Sequence, residues 1–184
     1  MPPDGPPRDD RGSTDTGQAL AKTVQRAWGI LESIPDPEIP VVSIRELGIL
    51  RDINARDGEL QVVITPTYSG CPAMGQIEDD IRAALAANGL AAQVVTRLAP
   101  AWSTDWISEA AKEKLSAFGI APPHRVPAQK VLRFSRGAAS AAAVACPRCG
   151  SVNTTETSHF GSTACKALYR CLDCLEPFDY FKPY

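Results

Sequence analysis

Two Cys-x-x-Cys pairs near one end of the chain limit its fold more than any other feature. Cys146-Pro147-Arg148-Cys149 and Cys171-Leu172-Asp173-Cys174 are separated by 21 residues and lie within the last 39 of 184. At this spacing each pair can wrap one side of a tetrahedral ion while the segment between them supplies strands. Disulfides and chance spacing are the competing readings. A segment below roughly 40 residues rarely builds a core of its own, so the ribbon is expected to need its ion to fold. A closed four-sulfur site favours structural Zn, while Cys-Pro-Arg-Cys-Gly also suits a rubredoxin-like iron knuckle.

Composition narrows the function. With 19 basic and 21 acidic side chains the net charge is -2, a poor basis for a surface that collects nucleic acid or anionic membrane. Residues 146–184 hold four bases (Arg148, Lys166, Arg170, Lys182) and four acids (Glu156, Asp173, Glu176, Asp179), so the ribbon is no phosphate-binding patch. The first seventeen residues contain no signal-peptide-like apolar run, and no stretch approaches the roughly 20 apolar residues of a membrane span. The expectation is a cytoplasmic protein whose thiols stay reduced, which favours metal ligation over disulfides. Residues 1–18 read as a disordered tail, 19–121 as one folded domain, 122–145 as a linker and 146–184 as the ribbon. The linker carries Arg125, Lys130, Arg133 and Arg136 without an acid, with one strand expected at Lys130–Phe134 and a flexible or weakly helical run at Ala138–Ala143. Its charges suit either a solvated connector or a strip for an acidic partner.

Within 19–121, Leu20, Val24, Ala27, Trp28, Leu31 and Ile34 recur at helical steps, predicting a helix over 18–34 that Pro35 and Pro37 end. Ile49–Ile53 and Leu60–Thr65 read as strands joined in a hairpin through Arg56-Asp57-Gly58. Met74, Ile77, Ile81 and Leu85 share a helical face closed by Asn88-Gly89, and Ala92–Leu98 is a third strand. Ser103 or Thr104 can cap a last helix bearing Ile107, Ala111, Leu115 and Phe118, stopped at Gly119. The order predicts an α+β fold, a small mixed sheet with packed helices, followed by the ribbon. This domain is expected to fold without the ribbon.

The isolated Cys71 calls for its own account. Pro72 suits a first helical position, which places the thiol where a helix dipole would favour its thiolate and make it a better nucleophile or soft-metal ligand. Gly70 would let the backbone approach a bound group. The plain alternative is a small buried residue under a loop. Asp36-Pro37-Glu38 either pairs its carboxylates with Cys71 around a transiently held iron, or forms a rigid turn with Asp36 capping and Glu38 solvated. Trp102 and Trp106 read as core or interface residues. His159 reads as a surface or supporting histidine, Cys165 as a packing thiol, and Phe178, Tyr180, Phe181 and Tyr184 as the ribbon's small core or a docking edge.

Four segments carry a resemblance: Asp36–Pro40, Ser43–Ile49, Pro66–Met74 with Thr67 and Cys71 inside it, and Trp102–Trp106. They resemble the iron-sulfur assembly domain of the SufT and MIP-eighteen-like proteins. With Phe160–Lys166 and the four-cysteine ribbon, the whole from about Leu20 onward is similar to the PaaD family, the D components of phenylacetyl-CoA epoxidase systems. The resemblance implies an accessory or maturation factor in aerobic phenylacetate degradation. Its partners would be the oxygenase and reductase subunits, its working residues Cys71, Asp36, Glu38 and Thr67, and its cargo transient iron or an iron-sulfur cluster at Cys71. It leaves a homodimer open. Neither partner's chemistry is expected of this chain. A di-iron bundle needs two Glu-x-x-His pairs, and of the two histidines, His124 and His159, only His159 follows a glutamate at that spacing. There is no G-x-G-x-x-G for a dinucleotide. The alternatives are a thiol-dependent enzyme using Cys71, without an evident histidine partner, and a zinc-ribbon interaction module.

Overall fold

The computed structural model describes residues 12–56, 59–124 and 143–183. Helix α1 spans Gly12–Leu31. It begins inside the stretch assigned to a tail, because extending an existing helix costs far less than nucleating one. Ala27 and Leu31 are fully buried on its inner face, with Val24, Trp28 and Ile30 packed beside them. Strands β1 (Leu50–Arg56) and β2 (Glu59–Ile64) pair antiparallel. The expected turn residues Asp57 and Gly58 lie outside the described residues. Helix α2 (Met74–Ala87) crosses over to β3 (Ala92–Thr96), which pairs parallel to β2. The sheet order β1-β2-β3 is therefore mixed, as expected. Ile77, Ile81 and Leu85 form the buried face of α2, and Gly89 follows it at φ +67.

The last helix departs from the sequence reading at its start. Ser103 caps only a single 3-10 turn (Thr104–Trp106), accepting from the Asp105 N–H. Helix α3 runs Glu109–Phe118 under a second cap, Ser108, whose Oγ accepts the Ala111 N–H at 3.1 Å. Two serines five residues apart both satisfy the capping rule, so the sequence did not show which would open the longer helix. Gly119 ends α3 at φ +98, and Phe118 is exposed rather than on the apolar face.

Between α1 and β1 the chain is irregular yet buried: Ile39, Val42, Ile44, Leu47 and Ile49 all lie in the main core. Asp36 Oδ1 organises its entry by accepting the Glu38 and Ile39 N–H groups at 2.9 and 2.8 Å. Ser43 and Glu46 reciprocate, Ser43 N–H donating to Glu46 Oε2 and Glu46 N–H to Ser43 Oγ, a capping-box exchange. Gly48 at φ +71 sits so close to Trp106 that an added Cβ would lie 2.6 Å from the Trp106 Cβ.

The second sheet has four strands. Strands β5 (Thr154–Ser158), β6 (Lys166–Cys171) and β7 (Pro177–Phe181) form an antiparallel ribbon. Strand β4 (Ile120–Ala121), directly after α3, joins it parallel to β7. The strand expected at Lys130–Phe134 lies outside the described residues, as does the Ala138–Ala143 run up to Ala142. Ala121, Val144, Cys146, Ala167, Cys171, Phe178 and Tyr180 form the ribbon's small core. Phe181 does not belong to it. It packs in the main core with Ile120 and Cys165, its ring centroid 5.9 Å from that of Trp102. The ribbon thus shares buried surface with the first sheet's domain. Strand alternation sets Phe181 on the opposite face of β7 from Phe178 and Tyr180, but nothing in the sequence shows that this face meets another layer.

Candidate functional site

The four paired cysteines converge. Their Sγ atoms all lie within 4.8 Å of one another, with Cys146–Cys174 at 3.8 Å and Cys149–Cys171 at 3.6 Å. A tetrahedral ion bound at the usual zinc–sulfur length of ~2.3 Å requires sulfur–sulfur separations of about 3.8 Å, which these two pairs match, and the whole set is close enough to surround one ion. Local hydrogen bonds build both turns. Cys146 N–H donates to Ser151 O and Gly150 N–H to Cys146 O, each at 2.8 Å. In the second turn the Cys174 N–H donates to Cys171 Sγ at 3.5 Å, holding the Cys171 thiol down at about 7 against the opposing effect of burial. Asp173, inside the second pair, accepts from Ser151 Oγ and from Asn153 Nδ2, the latter at 2.7 Å, which ties the two turns together. Sequence reasoning passed over this link, although a hydrogen-bonding residue within or just after each pair was a readable signal.

The second cluster gathers around Cys71. The thiol is half-buried in the loop between β2 and α2 and packs against the main core. It does not sit at the helix cap: Ala73 holds that position and α2 begins at Met74. Pro72 is used in the preceding turn, where its fixed φ is equally at home. Burial pushes the Cys71 thiol up to about 11, opposed by the Ala73 N–H and reinforced by the nearby charges of Glu38, Cys165 and Asp36. The expected dipole-stabilised thiolate is therefore replaced by a neutral thiol, because desolvation outweighs the backbone N–H it meets. At Gly70 an added Cβ would meet the Tyr68 ring at 3.6 Å, ordinary van der Waals contact.

Asp36 and Glu38 act on Cys71 through their charges, each raising its pKa. Asp36 is 6 % exposed, and burial raises its pKa while the Ile39 and Glu38 N–H groups and the Lys166 ammonium pull it back. Glu38 is raised by burial and by Asp36, with Lys166 opposing. Thr67 is buried in the same loop but makes no hydrogen bond to Cys71 among the described residues. Cys165, read from the sequence as a packing thiol, is buried in the same core. Burial raises its pKa; Thr163 Oγ1 at 3.0 Å and Lys166 lower it, and Glu38 and Asp36 raise it further. Its electrostatic influence on Cys71 across 94 positions of sequence was invisible to motif spacing.

The remaining candidates stand apart. Trp102 is buried and donates its indole N–H to Leu47 O at 2.9 Å, and Trp106 stacks under the Arg51 guanidinium. His159 is exposed on the ribbon and faces Glu156 at 3.3 Å. The Glu156–His159 spacing spans the end of β5 rather than a helix, so it does not present the inward-facing pair of a di-iron bundle. Among the described residues, no helix is long and apolar enough to cross a membrane.

Two family models match the chain in the same order as its two sheets. Residues 25–96 match the iron-sulfur cluster assembly protein model, and residues 133–182 match the PaaD zinc beta ribbon domain model. A protein of Escherichia coli strain K12, described as the D component of a "putative 1,2-phenylacetyl-CoA epoxidase", is 49% identical over 160 residues, covering 86% of this chain and 92% of its own. The chain belongs to the PaaD family. Among solved structures, a DUF59 domain of unknown function from Bacillus anthracis is 29% identical, with a TM-score of 0.49 over 54% of this chain and 96% of its own. A Mycobacterium tuberculosis protein associated with Fe-S complex assembly and repair is 29% identical, with a TM-score of 0.29 over 62% of this chain and 98% of its own. PaaD family membership joins an assembly-type domain to a metal-binding ribbon, which are the two halves that the cysteine clusters occupy.

Proposed function

We propose that this PaaD-family protein is an accessory factor of a multicomponent phenylacetyl-CoA epoxidase, handling iron or an iron-sulfur centre destined for the oxygenase or reductase subunit rather than performing the oxidation. The observation that carries this reading is the electrostatic influence of the buried Asp36 carboxyl and the partly exposed Glu38 on the Cys71 thiol, in a domain that matches the iron-sulfur cluster assembly model. A soft thiol beside hard carboxylates suits ferrous iron, which accepts both ligand types. The raised Cys71 pKa keeps the thiol neutral near pH 7 in the absence of metal. An arriving cation reverses that balance by favouring the thiolate, and reprotonation favours release. Loading and unloading can then proceed without a permanent high-affinity cage. In the ribbon, Zn held by Cys146, Cys149, Cys171 and Cys174 would stabilise the fold and supply no redox chemistry.

A thiol-dependent enzyme is the weaker reading. A nucleophilic cysteine needs a lowered pKa or an adjacent base, whereas Cys71 is pushed up and neither His124 nor His159 is among the groups that act on it. The deciding experiment co-expresses the oxygenase and reductase with wild-type protein or with Cys71→Ala as the sole source of this factor. Reduced iron content in a partner, with an unchanged melting temperature and ribbon metal in the variant, is the expected result. Normal iron and activity in both partners would remove Cys71 from the function.

A further inference from the structure

Strand β3 closes one side of the first sheet, and among the described residues no strand pairs with its outer edge. The other sheet edges are protected. β1 and β5 are each broken by a bulge and carry charged side chains, Arg51, Asp52 and Arg56 on β1 and Glu156 on β5, while β4 is two residues long. Such devices keep an edge from taking up another strand. β3, with the sequence Ala-Gln-Val-Val-Thr, has neither charge nor bulge. The Arg97 N–H donates to Ile64 O at 2.8 Å, which fixes the alternation along the strand. Backbone groups of Gln93 and Val95 turn to β2, and those of Ala92, Val94 and Thr96 turn to the open edge. Side chains alternate as well. Ala92 and Val94 pack against the main core with Leu60 and Val62, whereas Gln93 bonds to Gln61 at 3.2 Å on the opposite face. At the start of β3 a cleft of about 560 Å³ is lined by Leu20, Leu60, Leu90, Ala91 and Ala92, together with Glu59. At its other end Arg97 is exposed and Leu98 is 59 % exposed.

We infer that β3 is a dimer interface, pairing antiparallel with β3 of a second copy of this chain about a two-fold axis at Val94. In this register Val94 faces its own counterpart and Ala92 faces Thr96 of the second copy, so every outward backbone group of the strand gains a partner. An axis at Ala92 or Thr96 would leave part of the edge unpaired. Leu90 and Leu98 are equally far from Val94 in sequence, so the same axis brings the exposed Leu98 of one copy to Leu90 and the apolar cleft of the other. Charge agrees with this register. On the face away from the helices, Arg97 comes opposite Ala91 of the second copy, one position before the Leu60–Ala92 pair. Two strand spacings, about 10 Å, then separate its backbone from that of Glu59, a span that an arginine and a glutamate side chain together cover. Both contacts occur twice, as two-fold symmetry requires. The edge is therefore complementary to itself in hydrogen bonding, shape and charge, which selects a second copy as its occupant.

The test is sedimentation velocity of the full chain, with its ribbon metal bound, over a range of concentrations. Wild-type protein should show a reversible equilibrium between monomer and dimer. Leu98→Asp alters an exposed position of the monomer and should weaken dimerisation by roughly tenfold or more, because one substitution removes two buried leucine contacts. Arg97→Glu should weaken it as well, and adding Glu59→Lys should restore it, a reversal that damage to the fold would not give. Hydrogen exchange supplies a readout that needs no variant. Raising the concentration should slow the Ala92, Val94 and Thr96 amides and leave those of Gln93 and Val95, already bonded to β2, as they are. A wild type that stays monomeric overturns the inference, even if the edge takes up a strand of another protein. So does a dimer in which the three outward amides are not slowed, or one that Leu98→Asp leaves intact. Failure of Glu59→Lys to restore the Arg97→Glu protein overturns the register about Val94.

Discussion

Phe181→Ala should destabilise the whole protein and not only the ribbon from which the residue comes. Phe181 ends β7, is 1 % exposed, and packs on Trp102 in the main core, where Trp102 is anchored by its hydrogen bond to Leu47 O. Truncating a fully buried phenylalanine removes its transfer free energy and leaves a cavity, at a cost of about 3–5 kcal/mol. The loss of the tilted Trp102 ring contact falls within that range. Against a total stability of roughly 5–15 kcal/mol this is a large fraction, and for a chain of this length it corresponds to a melting shift on the order of 10 °C. The three tryptophans, Trp28, Trp102 and Trp106, all precede the ribbon, so the midpoint of their fluorescence change follows unfolding of the first domain, with Trp102 also sensing its contact with Phe181. Release of metal to a chromophoric chelator reports on the ribbon. Urea titrations of wild type and variant, read by both probes, should move together to lower midpoints. A tryptophan transition at the wild-type midpoint, with only metal release shifted, would refute the shared core.

Cys171→Ser should lose the bound ion and the protease resistance of the chain after Ala145, because structural zinc contributes on the order of 10–16 kcal/mol to small modules; metal analysis and limited proteolysis check this. Cys71 should react slowly with iodoacetamide at pH 8, with only about one thiol in a thousand ionised, and its rate should climb towards pH 11. Since its folded-state pKa is raised, the associated stability is fully present below the thiol's unfolded value near 8.5 and is lost as pH rises through about 11, so alkaline melting curves should be less steep in Cys71→Ala. Gly48→Ala should cost about 1–2 kcal/mol for the left-handed backbone plus about 1–3 kcal/mol for the clash with Trp106, whereas Gly89→Ala, with open space at its Cβ, should carry only the first part. Equal denaturation midpoints for the two variants would show that the close approach at Gly48 is unimportant.

What could be read without tertiary structure was what depends on neighbours in sequence. The ribbon site was legible because each Cys-x-x-Cys turn sets two sulfurs by local geometry, leaving only a strand pairing to bring the halves together. The helices and strands of the first domain followed from apolar periodicity, which selects one face for burial whatever the partner is. Apart from the start of α3, where two serine caps competed, the failures share one physical cause, that burial belongs to the folded molecule. Desolvation reversed the expected state of Cys71, and the same environment raised Asp36 and Glu38. Phe181 and Cys165 belong to the main core because β4 seats the ribbon against it, a pairing of two residues that no periodicity announces. The sequence by itself therefore determined the ligands of one metal site and the elements of the fold. Only the tertiary structure decided which thiols and carboxylates influence one another's protonation, since their electrostatic state depends on distances and solvent exclusion across chain segments far apart in sequence.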